Sequence, residues 1–301
     1  MYLLEEKWFD SSKAANFTCL LPQPYNKIGD GPEGVEISLM AKYINEQIIN
    51  KKENCKLLEV KVVSGRYLTH SFPKNYQEFN KVLKTTPLSI QPILTKGKFI
   101  YMTFEDAEWN IWLTLGMTGH LITSEHKHTR IVFKTTNGDF YLDDIRNFGT
   151  LTFAATHKEL EKKLATLGPD LFQDKNLTAA DFIKLVRKIK PETIIGLALV
   201  DQRRMSGIGN YLRAEILYES AISPFRKLKD LSDTELKNIY KATHKIMKIS
   251  YDSQLEHPED NLFYGYDFKV YMREKDPTGR QVENDKLSDG RTIWWVKEVQ
   301  K

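Results

Sequence analysis

The sequence predicts an α+β protein with two domains, an N-terminal antiparallel β-sandwich with a flanking helix and a C-terminal helical domain that ends in a β-hairpin. Two observations predict this architecture. After one amphipathic helix, the first half of the chain carries short segments of alternating apolar and polar residues, and beyond residue 157 the apolar residues recur at helical spacing. The chain is divided into an N-terminal extension and three further units: 1–31, 32–156, 157–260 and 261–301.

The helix of the first domain is predicted over 35–50, where apolar side chains recur every three or four residues. Apolar and alternating segments after it predict six short strands, and the Asn137-Gly138 pair between two of them is typical of a tight hairpin turn. Several short strands following each other in this way favour an antiparallel sandwich or barrel. The predicted strands are 58–62, 98–104, 109–115, 130–134, 140–143 and 150–153.

Helical periodicity dominates the second domain, where turn signals such as the Leu-Gly-Pro-Asp run at 167–170 separate the segments. The pattern then returns to strands, so the tail is predicted as a β-hairpin appendage. The predicted helices are 157–166, 178–189, 192–203, 209–220 and 231–251. The predicted tail has strands at 268–273 and 292–295 and a turn at 276–279.

Composition places few limits on function. The chain of 301 residues carries 44 lysines and arginines against 40 aspartates and glutamates, and the net charge of +4 permits a polyanionic partner without requiring one. Two cysteines are too few for a disulfide framework or a four-cysteine zinc site, so we expect an intracellular protein without a structural metal. No apolar run approaches the roughly 20 residues that a membrane span requires.

A proline followed by a glutamate opens the first predicted helix, at Pro32 and Glu33. At a free N-terminus, a proline carries a secondary amine that can attack an electrophilic carbon, and an adjacent carboxylate can transfer protons. Inside a chain, the same nitrogen belongs to an amide and its lone pair is delocalised into the carbonyl. The chemistry of this pair therefore depends on whether residues 1–31 are present in the mature protein.

Two further segments could contact phosphate. Residues 205–210 place a glycine-rich turn before a helix, where exposed amides and the side chain of Asn210 would form an anion site. A tight turn between helices, with Asn210 as the N-cap, is an equally good interpretation. Lys98 lies at the start of an apolar strand, where it could reach phosphate from a cleft, although a solvated lysine is the more common outcome at a strand end.

Three loops carry candidates for contact with a nucleic acid. Arg146 and Phe148 place a cation and an aromatic ring two residues apart, and together they could enter a base stack from one loop. Met117 would more often be a core residue. Arg291 is expected at the tip of the terminal hairpin, where it suits either a phosphate contact or an exposed turn. Each signal is weak alone, but their order along one chain is informative.

Six motifs occur in the order and spacing of one family. On these motifs the chain resembles the formamidopyrimidine-DNA glycosylase and endonuclease VIII family, and within it the endonuclease VIII-like enzymes of eukaryotes and giant viruses. The resemblance covers residues 32–301. The motifs are PEGVEI at 32–37, KGK at 96–98, LGMTG at 115–119, DIRNFG at 144–149, GIGN at 207–210 and GRT at 290–292.

The resemblance implies a base-excision-repair enzyme with a β-sandwich, a helix-two-turns-helix domain and a finger hairpin, which excises an oxidised base after flipping the nucleotide out of the DNA stack. Carried over to this sequence, Pro32 is the nucleophile that attacks C1′ and forms a Schiff base. Glu33 shuttles protons to and from the deoxyribose, and Glu36 supports the site. Lys98 contacts phosphate and assists strand cleavage by elimination, which makes the implied activity that of a glycosylase and AP lyase.

The same resemblance implies the contacts with damaged duplex DNA in the cleft between the domains. Asn210 and Arg291 grip the phosphates around the lesion, and Met117, Arg146 and Phe148 fill the gap left by the flipped base. Single-stranded DNA and bubbles are alternatives to duplex DNA, and we expect a monomer. A DNA substrate implies the nucleus or another DNA-containing compartment for a eukaryotic protein, and the DNA of the infected cell for a viral one.

The chain departs from the family pattern at two points. The finger has no cysteines, so it resembles the zincless form, in which packing around Trp294 and Trp295 replaces the metal; we predict no bound zinc and no cofactor. Family members begin at the position of Gly31, whereas this chain starts earlier. A misassigned translation start or cleavage after Gly31 would leave a glycosylase and lyase, whereas a retained extension would leave a DNA-binding homologue without lyase chemistry.

Overall fold

The computed structural model describes residues 31–256 and 266–301. Residues 1–30 of the predicted extension and the predicted boundary between 260 and 261 lie outside the described residues. The strands in this part of the chain are β1 (Lys56–Val62), β2 (Leu88–Ser89), β3 (Leu94–Lys96), β4 (Phe99–Thr103), β5 (Asn110–Thr114), β6 (Gly119–Ile122), β7 (Thr129–Thr135), β8 (Phe140–Asp144), β9 (Thr150–Ala154), β10 (Glu283–Lys286) and β11 (Thr292–Trp295).

The first domain is the predicted antiparallel β-sandwich. One sheet has the strand order β2-β1-β7-β8-β6 and the other has the order β3-β4-β5-β9. Both sheets contribute to one buried cluster, in which Phe133 and Phe140 stack with ring centroids 4.6 Å apart and Leu113 comes from the second sheet. Asn137-Gly138 forms the turn between β7 and β8, as predicted, and Gly138 has a φ of +127° that favours glycine.

The six predicted strands are present, with ends that differ by a few residues. The sequence patterns missed β2 and β3, which are only two and three residues long, and β6, which follows a glycine-rich segment. They also missed two helices of the first domain, over 66–69 and 76–85. The helices are α1 (Gly34–Ile44), α2 (Arg66–Thr69), α3 (Tyr76–Thr85), α4 (His157–Ala165), α5 (Ala179–Arg187), α6 (Ile195–Ala198), α7 (Asn210–Glu219) and α8 (Asp233–Glu256).

Helix α1 belongs to both cores of the molecule. Val35 packs into the core of the helical domain, whereas Met40 contributes to the core of the sandwich. The predicted helix over 35–50 is confirmed, since a π-helical turn extends α1 to residue 49. Because α1 is covered from both sides, Glu33 and Glu36 at its start lie in the interior between the domains.

Four of the five helices predicted for the second domain are present, but the helix over 192–203 was predicted wrongly, because only the single turn of α6 forms there. The chain turns at Asp201, whose carboxylate accepts hydrogen bonds from the backbone amide and side chain of Arg203 at 3.1 and 3.0 Å. Such a local bond competes with helical pairing of the backbone. Among the residues that the structure describes, no helix is both long and apolar enough to cross a membrane.

The predicted strand over 268–273 was also wrong, and these residues form turns. The three backbone amides of 269–271 all donate to the carboxylate of Glu215 on α7, at 2.9 to 3.0 Å. Successive residues of a strand face opposite sides, so three consecutive amides cannot converge on one anion within a strand. The predicted turn at 276–279 and the predicted strand over 292–295, which is β11, are confirmed, but its antiparallel partner is β10, which the sequence pattern missed.

Truncating Phe79 of α3 is expected to destabilise the sandwich strongly. Phe79 is fully buried and its ring contacts those of Phe104, Trp109 and Phe153. Phe79→Ala should lower the free energy of unfolding by about 3–5 kcal/mol, measured by urea denaturation followed by circular dichroism. Phe72→Ala, at a ring that is 45 % exposed, is the control and should cost under about 1 kcal/mol. Equal losses from both variants would contradict the packing.

Candidate active site

The carboxylate of Glu33 joins the two domains. One oxygen accepts hydrogen bonds from the backbone amides of Gly209 at 2.6 Å and Leu212 at 3.3 Å, and the other accepts from the amide of Tyr211 at 2.9 Å. These amides lie at the start of α7, where the positive end of the helix dipole favours an anion. The anion at this helix start is therefore the side chain of Glu33, whereas one of the two interpretations of the sequence had placed a phosphate there.

Glu36 lies one turn further along α1 and is also buried. Its carboxylate accepts hydrogen bonds from the hydroxyl of Tyr211 and the side-chain amide of Gln254, both at 2.7 Å, and from the backbone amide of Glu33 at 3.0 Å. Ser250 extends the network with its hydroxyl 3.0 Å from that of Tyr211. The network ties α1 to α7 and α8, and the sequence could not reveal its polar partners because they come from distant helices.

Burial raises the pKa of Glu33 from 4.5 to about 7. The positive charge of Lys98 and the amides of α7 oppose this effect, and the neighbouring carboxylate of Glu36 adds to it. Burial also raises the pKa of Glu36. At neutral pH, Glu33 is therefore divided between its protonated and ionised forms, which suits a group that both gives and takes a proton.

Lys98 extends from a tight turn of the sandwich toward the carboxyl group of Glu33. Gly97 has a φ of +58°, which favours glycine, and its amide donates to the carboxylate of Asp170 at 2.7 Å. A Cβ atom on Gly209 would overlap both the Lys98 Nζ and a carboxylate oxygen of Glu33. The ammonium and the carboxyl group therefore face each other over the backbone of Gly209, and a side chain at that position would displace them.

Asp170 is a positioning residue to which the sequence interpretation gave no role. Its buried carboxylate also accepts the backbone amides of Phe172 and Gln173, at 2.9 and 3.1 Å, so it fixes the Lys98 turn to the helical domain. The Leu-Gly-Pro-Asp run at 167–170 was noticed only as a turn signal. An aspartate at a turn commonly caps local amides, and this signal could have indicated it.

Pro32 is buried immediately before Glu33. Gly31 has a φ of +26°, and a Cβ atom there would meet the carbonyl oxygen of Gly116 and the Cα atom of Met117, the latter at 2.6 Å. The start of α1 therefore lies against the loop that carries Met117. In this chain the nitrogen of Pro32 is bonded to Gly31 and is an amide nitrogen.

Met117, Arg146 and Phe148 come together on one surface. The guanidinium carbon of Arg146 lies 4.9 Å from the centre of the Phe148 ring, and one of its nitrogens lies 3.3 Å from the sulfur of Met117. Phe148 is 50 % exposed and Met117 is only partly buried, so Met117 is not the core residue that its sequence context favoured. An exposed ring and a cation at one site can enter a base stack.

Thr118 and Asp144 hold the two loops of this cluster together. The hydroxyl of Thr118 donates to the carboxylate of Asp144 and accepts the backbone amide of Arg146 at 2.9 Å. The second carboxylate oxygen of Asp144 accepts the amide of Gly149 at 2.8 Å. Both side chains are buried, and although they lie inside two of the sequence motifs, their spacing gave no indication that they meet.

Asn210 and Arg291 are brought together from separate parts of the chain. Asn210 is the first residue of α7, and the N-cap is Gly209 rather than Asn210. The side chain of Asn210 is 2 % exposed and donates to the carbonyl oxygen of Thr292 at 2.9 Å. Arg291 precedes Thr292 in the hairpin and is exposed, so the two predicted phosphate contacts lie at one junction of α7 and the tail.

Three family models match the chain in order. The formamidopyrimidine-DNA glycosylase N-terminal domain matches residues 31–151, the H2TH domain of that enzyme matches 167–255, and its C-terminal domain matches 257–301. The chain belongs to the formamidopyrimidine-DNA glycosylase family. The enzymes of this family are DNA N-glycosylases, and the matched ranges include every segment of the site described above.

Curated relatives from bacteria support this membership. The formamidopyrimidine-DNA glycosylase of Prochlorococcus marinus (strain MIT 9301) is 30 % identical over 296 residues, which cover 86 % of this chain and 94 % of that protein. The enzyme of Desulfitobacterium hafniense (strain DSM 10664 / DCB-2) is 30 % identical over 182 residues, covering 58 % of this chain. The latter match spans 65 % of the Desulfitobacterium protein, slightly less than two thirds of its length.

Solved structures of the Lactococcus lactis Fpg share the fold. A complex of that protein with DNA containing an abasic site has a TM-score of 0.73 at 19 % identity, covering 89 % of this chain and 99 % of the other. Its wild-type complex with DNA containing an oxidised pyrimidine has a TM-score of 0.72 at 20 % identity, covering 90 % and 100 %. The likeness includes both domains and the tail.

The terminal hairpin is held by aromatic packing. The ring of Trp294 contacts that of Tyr271 with centroids 4.7 Å apart, and the ring of Trp295 contacts that of Phe225 at 5.2 Å. Within residues 31–256 and 266–301, no three histidine, cysteine, aspartate or glutamate side chains are grouped so that they could hold a metal ion.

The free energy of unfolding is expected to fall as the pH rises from about 4.5 to about 7, through ionisation of Glu33. A carboxyl group whose pKa is about 7 in the folded state and 4.5 outside it binds its proton more tightly when folded, so its ionisation costs stability, on the order of 3 kcal/mol in total. Glu33→Gln should flatten this decrease in urea denaturation over that pH range. Glu59→Gln, at an exposed glutamate, is the control; the same pH dependence in all three proteins would contradict the prediction.

Proposed function

We propose that this chain is a base-excision DNA glycosylase with AP lyase activity, which removes oxidised bases through a Schiff base at Pro32. The proposal rests above all on the buried carboxyl group of Glu33, which follows Pro32, faces Lys98 and has a pKa near neutrality. Family membership supports the reaction class. The alternative is a DNA-binding homologue without lyase chemistry, in which residues 1–31 persist and the nitrogen of Pro32 remains an amide.

In the proposed reaction, the free amine of Pro32 attacks C1′ of the damaged nucleotide. The bond from C1′ to the base breaks, and the base leaves with the bonding electrons and takes up the proton that the Pro32 amine loses. Protonated Glu33 gives its proton to the ring oxygen of the deoxyribose, which opens the ring and leaves an iminium between Pro32 and C1′. The resulting carboxylate of Glu33 then removes a proton from C2′, and the electrons of that C–H bond expel the 3′ phosphate, whose negative charge Lys98 stabilises.

An α-amino group suits this chemistry better than a lysine side chain does. The amine must be unprotonated near neutral pH, and the reference pKa of an α-amino group is about 2.5 units below that of lysine. Glu36 supports the site because it accepts the amide of Glu33 and is itself held by Tyr211 and Gln254. These bonds fix the turn that would present the amine of Pro32.

Borohydride reduction is expected to trap a covalent complex between oxidised-base DNA and a chain that begins at Pro32. The full chain should give no adduct while Gly31 remains bonded to Pro32, because an amide nitrogen is not a nucleophile. Gel mobility and mass spectrometry measure the adduct and the N-terminus that formed it. Glu33→Gln in the shortened chain should slow base excision by roughly 10²–10⁴-fold.

Two outcomes of the trapping experiment would overturn the assignment. If neither chain gives an adduct, the lyase hypothesis fails and the DNA-binding alternative stands. If the full chain gives an adduct while its N-terminus is intact, the nucleophile is not Pro32. Phe72→Ala in the shortened chain, on the surface of the sandwich, is the matched control and should be trapped as efficiently as the unaltered protein.

The proposed substrate is damaged duplex DNA, with single-stranded and bubble DNA as alternatives. Asn210 and Arg291 would grip the phosphates around the lesion, and their closeness at the junction of α7 and the hairpin supports a shared role. Met117, Arg146 and Phe148 would fill the gap in the stack, which the exposed ring of Phe148 supports. Flipping a nucleotide costs a few kcal/mol, which such a plug offsets.

Phe148→Ala is expected to reduce base excision from duplex DNA by roughly tenfold or more, because stacking of an aromatic ring on a base contributes about 1–3 kcal/mol. Single-stranded DNA has no opposite base and no duplex stack with a gap to fill, so the rate of excision from it should fall by less than about threefold. Single-turnover excision on the two substrates measures the difference. An equal loss on both would show that Phe148 does not act as a plug.

We also propose that the chain belongs with the zincless-finger endonuclease VIII-like enzymes of eukaryotes and giant viruses. Both cysteines precede residue 56, so the tail has no thiolate ligands for zinc. The contacts of Trp294 and Trp295 supply an alternative way to hold the hairpin. All the groups proposed for the reaction come from one chain, which supports activity as a monomer.

A further inference from the structure

Arg213 is a fully buried arginine at the centre of the junction between α7 and the hairpin. Its guanidinium donates to the carbonyl oxygen of Gly196 and to the carboxylate of Asp289, each at 3.0 Å, and also to the side-chain oxygen of Asn210. Asp289 lies at the tip of the hairpin, and its side chain is 24 % exposed. A buried guanidinium requires such a partner because its charge has lost its hydration.

The bonds around Arg213 close into a ring. Asp289 uses its second oxygen to accept the backbone amide of Arg291 at 3.0 Å. Asn210 accepts from Arg213 and donates to the carbonyl oxygen of Thr292 at 2.9 Å. The ring therefore contains both of the residues proposed to grip phosphate, and it fixes the turn 289–292 to the start of α7.

We propose that the ion pair of Arg213 and Asp289 positions the phosphate-binding residues Asn210 and Arg291, acting through the turn that carries Arg291. This inference rests on the proposed function, because it takes a DNA phosphate as the ligand. Asp289 would act in two ways: its carboxylate fixes the backbone of Arg291, and its charge balances the buried cation of Arg213 beside the Arg291 side chain.

The charges around Arg213 agree with this role. Burial lowers the pKa of Arg213, the charge of Arg291 lowers it as well, and the charge of Asp289 raises it. Without the negative charge of Asp289, the positive charges of Arg213 and Arg291 would repel each other, and the Arg291 side chain would move away from the junction. Substituting Arg213 itself would leave a cavity and remove the donor from its buried hydrogen-bond acceptors, which would disturb folding. Asp289 is therefore the residue to test.

The test is a double-mutant cycle on binding of a duplex that contains a tetrahydrofuran abasic analogue. Asp289→Asn keeps an oxygen for the Arg291 amide but removes the charge, and we expect its Kd to rise roughly tenfold or more. The slope of the logarithm of the binding constant against the logarithm of the salt concentration should become shallower by about one, the value of one lost phosphate contact. The same change is expected for Arg291→Ala. Added to Arg291→Ala, Asp289→Asn should change the Kd by less than about twofold.

Glu283→Gln is the matched control, since it removes one negative charge from the same hairpin at an exposed position outside the ring, and its Kd should match that of the unaltered protein within about twofold. An effect of Asp289→Asn that is unchanged in the Arg291→Ala background would overturn the proposal, because Asp289 would then act independently of Arg291. An unchanged Kd and salt slope in Asp289→Asn alone would overturn it as well.

Hydrogen exchange without DNA separates this inference from the proposed function. Asp289→Ala should speed exchange of the Arg291 amide, because its acceptor is removed, whereas Glu283→Gln should not. If the unaltered chain fails to bind the abasic duplex, the proposed function fails, while faster exchange would still support the role of Asp289 in holding the turn. Unchanged exchange in Asp289→Ala would overturn the positioning role whatever the DNA result.

Discussion

The rest of the structure depends on one contact, the carboxylate of Glu33 set among the backbone amides at the start of α7. Three amides satisfy it, so the cost of burying the group is partly repaid by hydrogen bonds. The same contact docks the sandwich on the helical domain and holds α1 between two cores. Domain docking and the protonation of Glu33 thus have a common origin, because removing the neighbouring domain would return the carboxyl group to water.

The site is assembled from three parts of the chain, and none of them contains it alone. The sandwich contributes Lys98 and the start of α1, the helical domain contributes the amides of α7 and the carboxylate of Asp170, and the tail contributes Arg291. Buried polar side chains connect each part to the next. Such networks rigidify a structure, and here they join the sandwich to the helical domain and the helical domain to the tail.

Local patterns in the sequence were sufficient for six of the nine strands that the structure describes in the sandwich, for the turn at 137–138 and for most helices of the second domain, because periodicity and turn residues act within a few positions. Two of the failures have a long-range cause. At 268–273 and at the start of α7, backbone amides are paired with glutamates far away in the sequence, Glu215 and Glu33. No local pattern contains that information. The motifs named the residues around Pro32 but could not reveal that Asn210 is buried beneath the hairpin.

The groups that hold Glu33 are main-chain amides, so the identity of the side chains around them is largely free to vary. A relative could carry a different apolar residue in place of Leu212 and still offer the same hydrogen bond, so a comparison of side chains would find the carboxylate but not its binding pocket. Gly209 is the exception, because the space beside its Cα atom is already filled by Glu33 and Lys98. The lack of a side chain at Gly209 therefore marks, in the sequence, the position where Lys98 and Glu33 meet.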